Sequence, residues 1–115
     1  MNAADILREF LDPILQGWRI QFGRWMDGNR EDRYAVIRPV GGIPVSLVRE
    51  PQFTLTLISG TGDDASVVSI AADSVIEAMR ETSGNAVFLQ PGEPVYFATE
   101  DGRHILELAI SAITT

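Results

Sequence analysis

The clearest pattern of apolar and polar positions lies in residues 52–79, where a strand-like alternation leads through a turn into a helix-like periodicity. Phe53, Leu55 and Leu57 alternate with polar residues, as in a strand with one buried face. After a glycine-rich turn at 60–64, apolar residues recur at spacings of three and four, which is the stripe of an amphipathic helix. They are Val68, Ala72, Val75, Ile76 and Met79. The pattern predicts a helix packed on the sheet that contains the strand.

The turn between these elements invites two interpretations. Thr61, Asp63 and Asp64 are side chains of the kind that cap a helix N-terminus. The sequence Gly60-Thr61-Gly62 also resembles the start of a phosphate-binding loop, but such a loop needs a lysine, and two aspartates follow here instead. We therefore interpret the segment as a turn and cap.

The part of the chain before residue 40 predicts one helix and two strands. Residues 6–15 carry an apolar stripe, which Pro13 ends or kinks. Residues 18–22 and 34–38 alternate in the manner of strands. The charged segment 26–32 between them contains an Asp-Gly pair, so we predict a loop or the tip of a hairpin there.

Further strands are predicted on either side of the central unit. Residues 45–48 are a candidate edge segment, and residues 86–89 and 95–99 form short strand candidates. Residues 103–113 alternate as a longer strand. The sequence Glu-Asp-Gly at 100–102, between the last two strands, is typical of a tight hairpin turn.

This order of elements predicts an α+β fold. Hairpin-length connections and few crossover helices favour a mainly antiparallel sheet of about five to six strands, with two helices packed on one face. A chain of 115 residues has room for one core, so we expect a single domain over residues 1–115.

Charge and composition limit the classes of binding partner that we expect. Sixteen acidic and nine basic residues give a net charge of −7, so we expect no tight binding to nucleic acid. All the basic residues are arginine, which reflects either codon usage in a GC-rich genome or a chain that uses arginine at protein interfaces. The apolar runs are short and the N-terminus lacks a basic region, so we expect no membrane segment and no secretory signal.

The sequence offers no constellation that predicts catalysis or a cofactor. His104 is the single histidine and cysteine is absent, which removes histidine pairs and thiolate chemistry. Asp27, Glu31 and Asp32 lack the ligand spacing of a calcium loop and alternate with arginines. We therefore expect a protein that is not an enzyme and that needs neither cofactor nor metal.

Aromatic and arginine residues gather beside the charged segment. Trp18 and Phe22 share one strand face and are expected in the core, whereas Arg24 and Trp25 approach the loop. Tryptophan and arginine are enriched at binding hot spots, so Trp25 is either an interface residue or a cover for the sheet edge. The predicted protein interface comprises Arg24, Trp25, Arg30, Glu31, Asp32 and Arg33.

The order of several features resembles a known family. The strand at 34–39, the Gly41-Gly42 break, the segment 49–53 that leads into the alternating strand, and the helix after 62–64 occur in sequence. Together they resemble the tail terminator proteins of long-tailed bacteriophages and prophages, also called tail completion or minor capsid proteins. The resemblance spans nearly the whole chain and rests on pattern and size.

This resemblance implies a structural virion protein. Such a subunit forms a ring, usually of six copies, on the head-proximal end of the tail tube, ends tube polymerisation and presents the head-attachment surface. The implied partners are further copies of itself, the tail tube protein and the head-tail connector. Assembly would take place in the host cytoplasm and leave the protein in the virion tail, with the polar segment 26–33 as the arm that meets the next subunit.

Two other classes of function are open to the same sequence. A small non-enzymatic protein-protein binding module that acts as a dimer would use the same exposed edge and arginines. A small-molecule enzyme or ligand-binding domain would need a pocket with convergent polar groups, which the sequence does not indicate.

Overall fold

The computed structural model describes residues 3–23, 25, 28, 31–39, 52–81, 87–100 and 102–114, and for 3–6, 87–91 and 112–114 it describes the backbone alone. Within these residues the chain forms two helices and six strands. In chain order they are α1 (Ala3–Leu11), β1 (Trp18–Phe22), β2 (Arg33–Pro39), β3 (Gln52–Ile58), α2 (Ser66–Glu81), β4 (Val87–Pro91), β5 (Val95–Ala98) and β6 (His104–Thr114).

The strands form one mostly antiparallel sheet in the order β1-β2-β3-β6-β4, with β5 also paired to β6. The short strand β4 pairs with residues 110–114 of β6, and β5 pairs with residues 104–107. These two strands therefore lie end to end along one edge of β6. The predicted α+β fold and mainly antiparallel sheet are confirmed.

One connection differs from the prediction. Strands β1 and β2 run parallel, with Trp18 opposite Arg33 and Phe22 opposite Ile37. Two parallel strands cannot be joined by a hairpin turn and need a crossover connection, so the hairpin interpretation of 26–32 is wrong. The Asp-Gly pair is a local turn signal, whereas strand direction is set by where the segment packs.

Both helices pack on the same face of the sheet. Alternate residues of the strands point towards the helices, and the helices contribute one stripe each. The buried core residues are Leu7, Leu11, Leu15, Ala35, Ile37, Phe53, Leu55, Leu57, Val68, Ala71, Ala72, Val75, Met79, Leu106, Leu108 and Ile110. Helix α1 ends at Leu11, two positions before Pro13, and the Leu15 amide still donates to the Leu11 carbonyl over 2.8 Å.

The two aspartates before α2 make different hydrogen bonds. The Asp64 carboxylate accepts a hydrogen bond of 2.7 Å from Ser66 Oγ, and the Asp64 carbonyl accepts one of 3.0 Å from the Val67 amide. These contacts place Asp64 as the cap, and the bond from Ser66 lowers the pKa of its carboxyl group. Asp63 instead accepts a hydrogen bond of 2.8 Å from the Gly60 amide.

The ends of the sheet confirm one prediction and correct another. Thr99 donates its amide to the Arg103 carbonyl over 2.8 Å, and Gly102 has a φ of 86°, as a tight β5-β6 hairpin requires. Phe22 is exposed rather than in the core, because β1 is an outer strand of the described sheet, and the Arg8 guanidinium lies over its ring. The candidate edge segment 45–48 lies outside the described residues.

Candidate protein interface

The sheet face opposite the helices carries a second, smaller apolar cluster. Tyr34, Val36, Ile58 and Ile105 are buried there, and Trp25 packs against them. No helix of the described chain covers this side. We call it the open face and define it by the residues that line its central cavity, which are Trp25, Val36, Arg38, Thr56, Ile58, Phe97, Ile105 and Glu107.

The cavity in the open face has a volume of about 190 Å³. Most of its lining is apolar, and Arg38, Thr56 and Glu107 supply polar atoms. Pockets for small molecules usually measure roughly 300–1,000 Å³, so this one is small for a metabolite. Its size and apolar lining suit a single side chain from a partner protein.

Two polar atoms at the open face are buried without a hydrogen-bond partner among the described residues. They are Trp25 Nε1 and Thr56 Oγ1. Thr56 is only 7% exposed. A buried unpaired group costs about 1–3 kcal/mol, which a partner that supplies a hydrogen-bond acceptor would recover. At the rim, Arg38 Nη2 and Glu107 Oε1 are 3.9 Å apart in a loose, half-exposed ion pair.

The residues that lead into β2 form ion pairs within the chain. Arg33 donates to both carboxylate oxygens of Asp63, over 3.0 Å from Nε and 3.3 Å from Nη2. These bonds lower the pKa of Asp63 and raise that of Arg33. Arg19 Nε donates to Asp32 Oδ2 over 2.7 Å. The base of the predicted arm is thereby held to β1 and to the turn before α2.

The main chain of Glu31 packs directly on Gly60. Gly60 is buried, and a Cβ atom there would lie 2.8 Å from the carbonyl carbon of Glu31 and closer still to its oxygen. Any larger residue would push the two segments apart. The turn before α2 therefore also fixes the position of Glu31 in the crossover between β1 and β2.

Arg103 ties three segments together at the start of β6. It is 1% exposed, and it donates from Nε to the Ser59 carbonyl over 3.0 Å and from Nη2 to the Asp32 carbonyl over 3.5 Å. Its guanidinium carbon lies 4.9 Å from the Trp25 ring centre and 5.8 Å from that of Tyr34. This cation–π contact holds Trp25 on the open face.

The six residues of the predicted interface fall into three groups. Trp25 is half-buried on the open face, and the side chain of Glu31 is exposed. Asp32 and Arg33 take part in the ion pairs with Arg19 and Asp63. Arg24 and Arg30 lie outside the described residues. Contact of this set with a partner stays a prediction.

Sequence reasoning missed Arg103 and most of the open face. Arg103 follows a hairpin turn, where a charged residue is normally solvated, so its sequence position gives no signal of burial. A signal for the open face is present in residues 34–37, which are continuously apolar, as in a strand buried on both sides. That run indicates that the side away from the helices also needs a cover.

Other predicted features have simple structural positions. His104 Nδ1 lies 2.6 Å from the Tyr96 hydroxyl. In the described part of the chain no three acidic or histidine side chains come together in a way that could hold a metal ion, and Asp27 lies outside that part. The described helices lack the length and apolar character needed to cross a membrane.

Comparison with known protein families identifies the family of this chain. A family model described as phage tail termination protein matches residues 1–115, which is the whole chain. No curated protein matches the chain.

Proposed function

We propose that this chain, which belongs to the phage tail termination protein family, caps the head-proximal end of a tail tube as a ring. Membership of the family makes the chain a structural component of a phage tail with a role in tail termination. The proposal adds that the ring, of about six subunits, ends tube polymerisation and provides the surface to which the head attaches.

The open face is the observation that supports a subunit built for assembly. The helices close one side of the sheet, while the other side keeps an apolar cavity and the buried polar atoms Trp25 Nε1 and Thr56 Oγ1, for which the described residues supply no hydrogen-bond partner. In a free subunit these atoms cost stability. In a ring, every subunit meets its two neighbours in the same way, so one pair of complementary surfaces serves every copy.

The partners follow from the proposed position. Further copies of the chain lie on either side, the tail tube protein lies below and the head-tail connector lies above. Assembly takes place in the host cytoplasm, and the product is part of the virion tail. This role needs neither a cofactor nor a reaction catalysed by the chain.

The net charge is compatible with a ring through which DNA passes. Each subunit has a net charge of −7, so a ring of identical subunits has a large negative charge. Negative charges on the ring repel the phosphate backbone of DNA and reduce adhesion of the DNA to the inner wall of the ring.

Light scattering coupled to size exclusion, together with electron microscopy of tail tubes, tests the proposal. We expect concentration-dependent association beyond a dimer, and shorter, capped tubes when the protein is added during tube growth. A chain that stays monomeric at high concentration and leaves tube length unchanged would contradict the proposal. A dimer that never grows and ignores tubes would favour the binding-module alternative.

A charge reversal at the rim of the open face makes the test site-specific. Arg38→Glu changes a half-exposed residue beside the cavity, and Arg80→Glu makes the same change on the exposed last turn of α2. We expect both variants to fold, and only Arg38→Glu to lose association and tube capping. Equal assembly by the two variants would remove the open face from the ring contact.

A further inference from the structure

Strand β5 is an edge strand with three large apolar side chains in succession. Val95 is 58% exposed, Tyr96 49% and Phe97 42%, and Ala98 is exposed as well. Within the described chain β5 pairs with β6 alone. Soluble proteins normally cover such an edge or place charge on it, so exposed apolar side chains there indicate a strand that acquires a partner. We call the outer side of residues 95–98 the β5 edge.

The β5 edge presents backbone groups as well as side chains. Thr99 donates its amide to the Arg103 carbonyl, and hydrogen-bonded positions alternate along an antiparallel pair. Phe97 therefore bonds to β6, whereas the amides and carbonyls of Tyr96 and Ala98 point away from it. In the described part of the chain, these outward groups have no hydrogen bond.

Contacts on the inner side hold the β5 edge in its extended form. The Tyr96 hydroxyl lies 2.6 Å from His104 Nδ1, and the two rings stack at an interplanar angle of 20°. His104 is in turn fixed to the end of β3, because its amide donates to Ser59 Oγ over 2.8 Å. A strand that is already straight loses little entropy when another strand is added to it.

The charges around the β5 edge are acidic. Glu93 lies two positions before β5 and Glu100 two positions after it, and both side chains are exposed. Residues 92–100 contain no base. Glu107, opposite Val95 on β6, adds a third carboxylate, which Arg38 contacts loosely at 3.9 Å. An added strand therefore has apolar side chains beside it and negative charge at both of its ends.

These charges disfavour a second copy of β5 as the added strand. Two β5 strands paired antiparallel about their centres would place Glu93 of each copy opposite Glu100 of the other. Like charges directly opposite each other on neighbouring strands are destabilising. A segment with a basic residue at each end would instead form favourable pairs with the same two carboxylates.

We propose that the β5 edge binds an extended segment of a different protein, with apolar side chains at its centre and a basic residue at each end. Backbone hydrogen bonds to Tyr96 and Ala98 supply affinity, and the end charges supply specificity. The inference goes beyond the proposed ring and does not depend on it.

Amide hydrogen exchange measured by NMR tests whether the β5 edge is the binding site. The probe is a peptide of about seven residues, alternating valine and threonine with an arginine at each end. We expect the Tyr96 and Ala98 amides to exchange fast in the free protein and slowly with peptide, while the Phe97 amide is protected in both. Protection of Tyr96 and Ala98 before peptide is added would overturn the proposal, because the edge would then already be occupied by this chain or by a second copy.

A charge reversal tests the specificity. In fluorescence anisotropy the protein should bind the arginine-ended peptide roughly tenfold more tightly than the same peptide with glutamate ends, and Glu93→Arg with Glu100→Arg should reverse this preference. Glu77→Arg with Glu81→Arg makes the same change of net charge on the exposed face of α2 and should leave the preference as it is. Equal effects of the two double variants, or no binding of either peptide, would overturn the proposal.

A backbone change separates strand addition from attraction by charge alone. Ala98→Pro removes an outward amide and none of the bonds to β6, and proline is tolerated where the amide of an edge strand faces outward. We expect this variant to melt like the wild type and to lose peptide binding. If it does not fold, the hydrogen-exchange measurement on the wild type decides the question.

The outcomes are distinguishable from those of the proposed function. Variants of Glu93 and Glu100 that still form rings and cap tubes, in a protein that binds neither peptide, would overturn this inference and leave the proposed function standing. Peptide binding at the β5 edge of a protein that neither associates nor caps tubes would support the inference and contradict the proposed function.

Discussion

Gly60 and Asp63 show how single residues in one turn determine the path of a distant segment. Gly60 gives the Glu31 main chain room, and Asp63 binds both the Gly60 amide and the Arg33 guanidinium. The contact between Asp63 and Arg33 joins the turn after β3 to the start of β2, 30 residues earlier in the chain. The position of Trp25 on the open face therefore depends on residues that never touch the cavity.

Gly60→Ala should destabilise the fold. The added Cβ would meet the carbonyl group of Glu31, a main-chain group that cannot move without shifting the crossover. We expect a loss of about 1–3 kcal/mol in the free energy of unfolding, measured by denaturant titration. Gly28→Ala is the control, because a Cβ there would lie 3.5 Å from the Tyr34 hydroxyl, an ordinary contact. Equal effects at the two positions would refute the packing argument.

Asp63→Asn should lower stability in a way that depends on pH. The hydrogen bonds from Arg33 lower the pKa of Asp63 in the folded state, below an unfolded value of about 3.9. The stabilisation is therefore fully present above about pH 4 and is lost as pH falls through the folded-state pKa. At neutral pH we expect a loss of about 1 kcal/mol, since the partner Arg33 is half-exposed.

Thermal melts of this variant and the wild type between neutral and acidic pH provide the measurement. The difference in stability should shrink towards zero as the pH falls below about 4. Asp73→Asn, at an exposed position of α2, serves as the control and should match the wild type at neutral pH. A difference for Asp63→Asn that stays constant down to low pH would show that the ion pair is not its cause.

At the scale of elements, β3 is an inner strand that packs on both sides of the sheet. It lies between β2 and β6, and its residues contribute to both sides of the sheet. Phe53, Leu55 and Leu57 face the helices, whereas Thr56 and Ile58 belong to the open face. A buried hydroxyl at position 56 that lacks a hydrogen-bond partner among the described residues lowers the stability of a free subunit.

Thr56→Val should therefore have opposite effects on folding and on assembly. Valine has nearly the same shape, favours strands and removes the unpaired hydroxyl, so we expect a stability gain of about 1 kcal/mol in thermal or denaturant unfolding. Association measured by light scattering should weaken, because the neighbour loses a hydrogen-bonding group. Thr54→Val, on the same strand and half-buried, is the matched control. A Thr56→Val variant that is less stable than wild type would contradict the assignment of an unpaired hydroxyl.

The elements were largely predictable, whereas their arrangement was only partly so. Residues 18–22 and the start of β3 at Gln52 match the prediction, because alternation within one strand is a local property. The parallel direction of β1 and the burial of Arg103 depend on residues far apart in sequence. Trp25 is an interface candidate by its residue type alone. The rest of the open face is not predictable in this way, because its residues come from several strands that only the fold brings together.

At the scale of the whole molecule, the two sides of the sheet differ in how far the described chain covers them. The helix side is closed by its own core, whereas none of the described helices covers the open face. The molecule is also acidic overall, with a net charge of −7. Shape therefore favours protein partners, and charge disfavours polyanions.

We expect no measurable affinity of the isolated protein for duplex DNA at physiological salt. The net charge of −7 repels the phosphate backbone, and nonspecific DNA binding depends on basic residues that displace counterions. Fluorescence anisotropy with a labelled duplex, repeated at low ionic strength, provides the measurement. Tight binding that weakens steeply as salt is added would contradict this expectation.

The position of β6 in the chain also has a consequence for protein synthesis. This strand pairs with β3, β4 and β5, all of which precede it in the sequence. A ribosome that has not yet released residues 104–114 from its exit tunnel therefore holds a chain in which these three strands lack their shared neighbour. The sheet closes only after β6 has emerged.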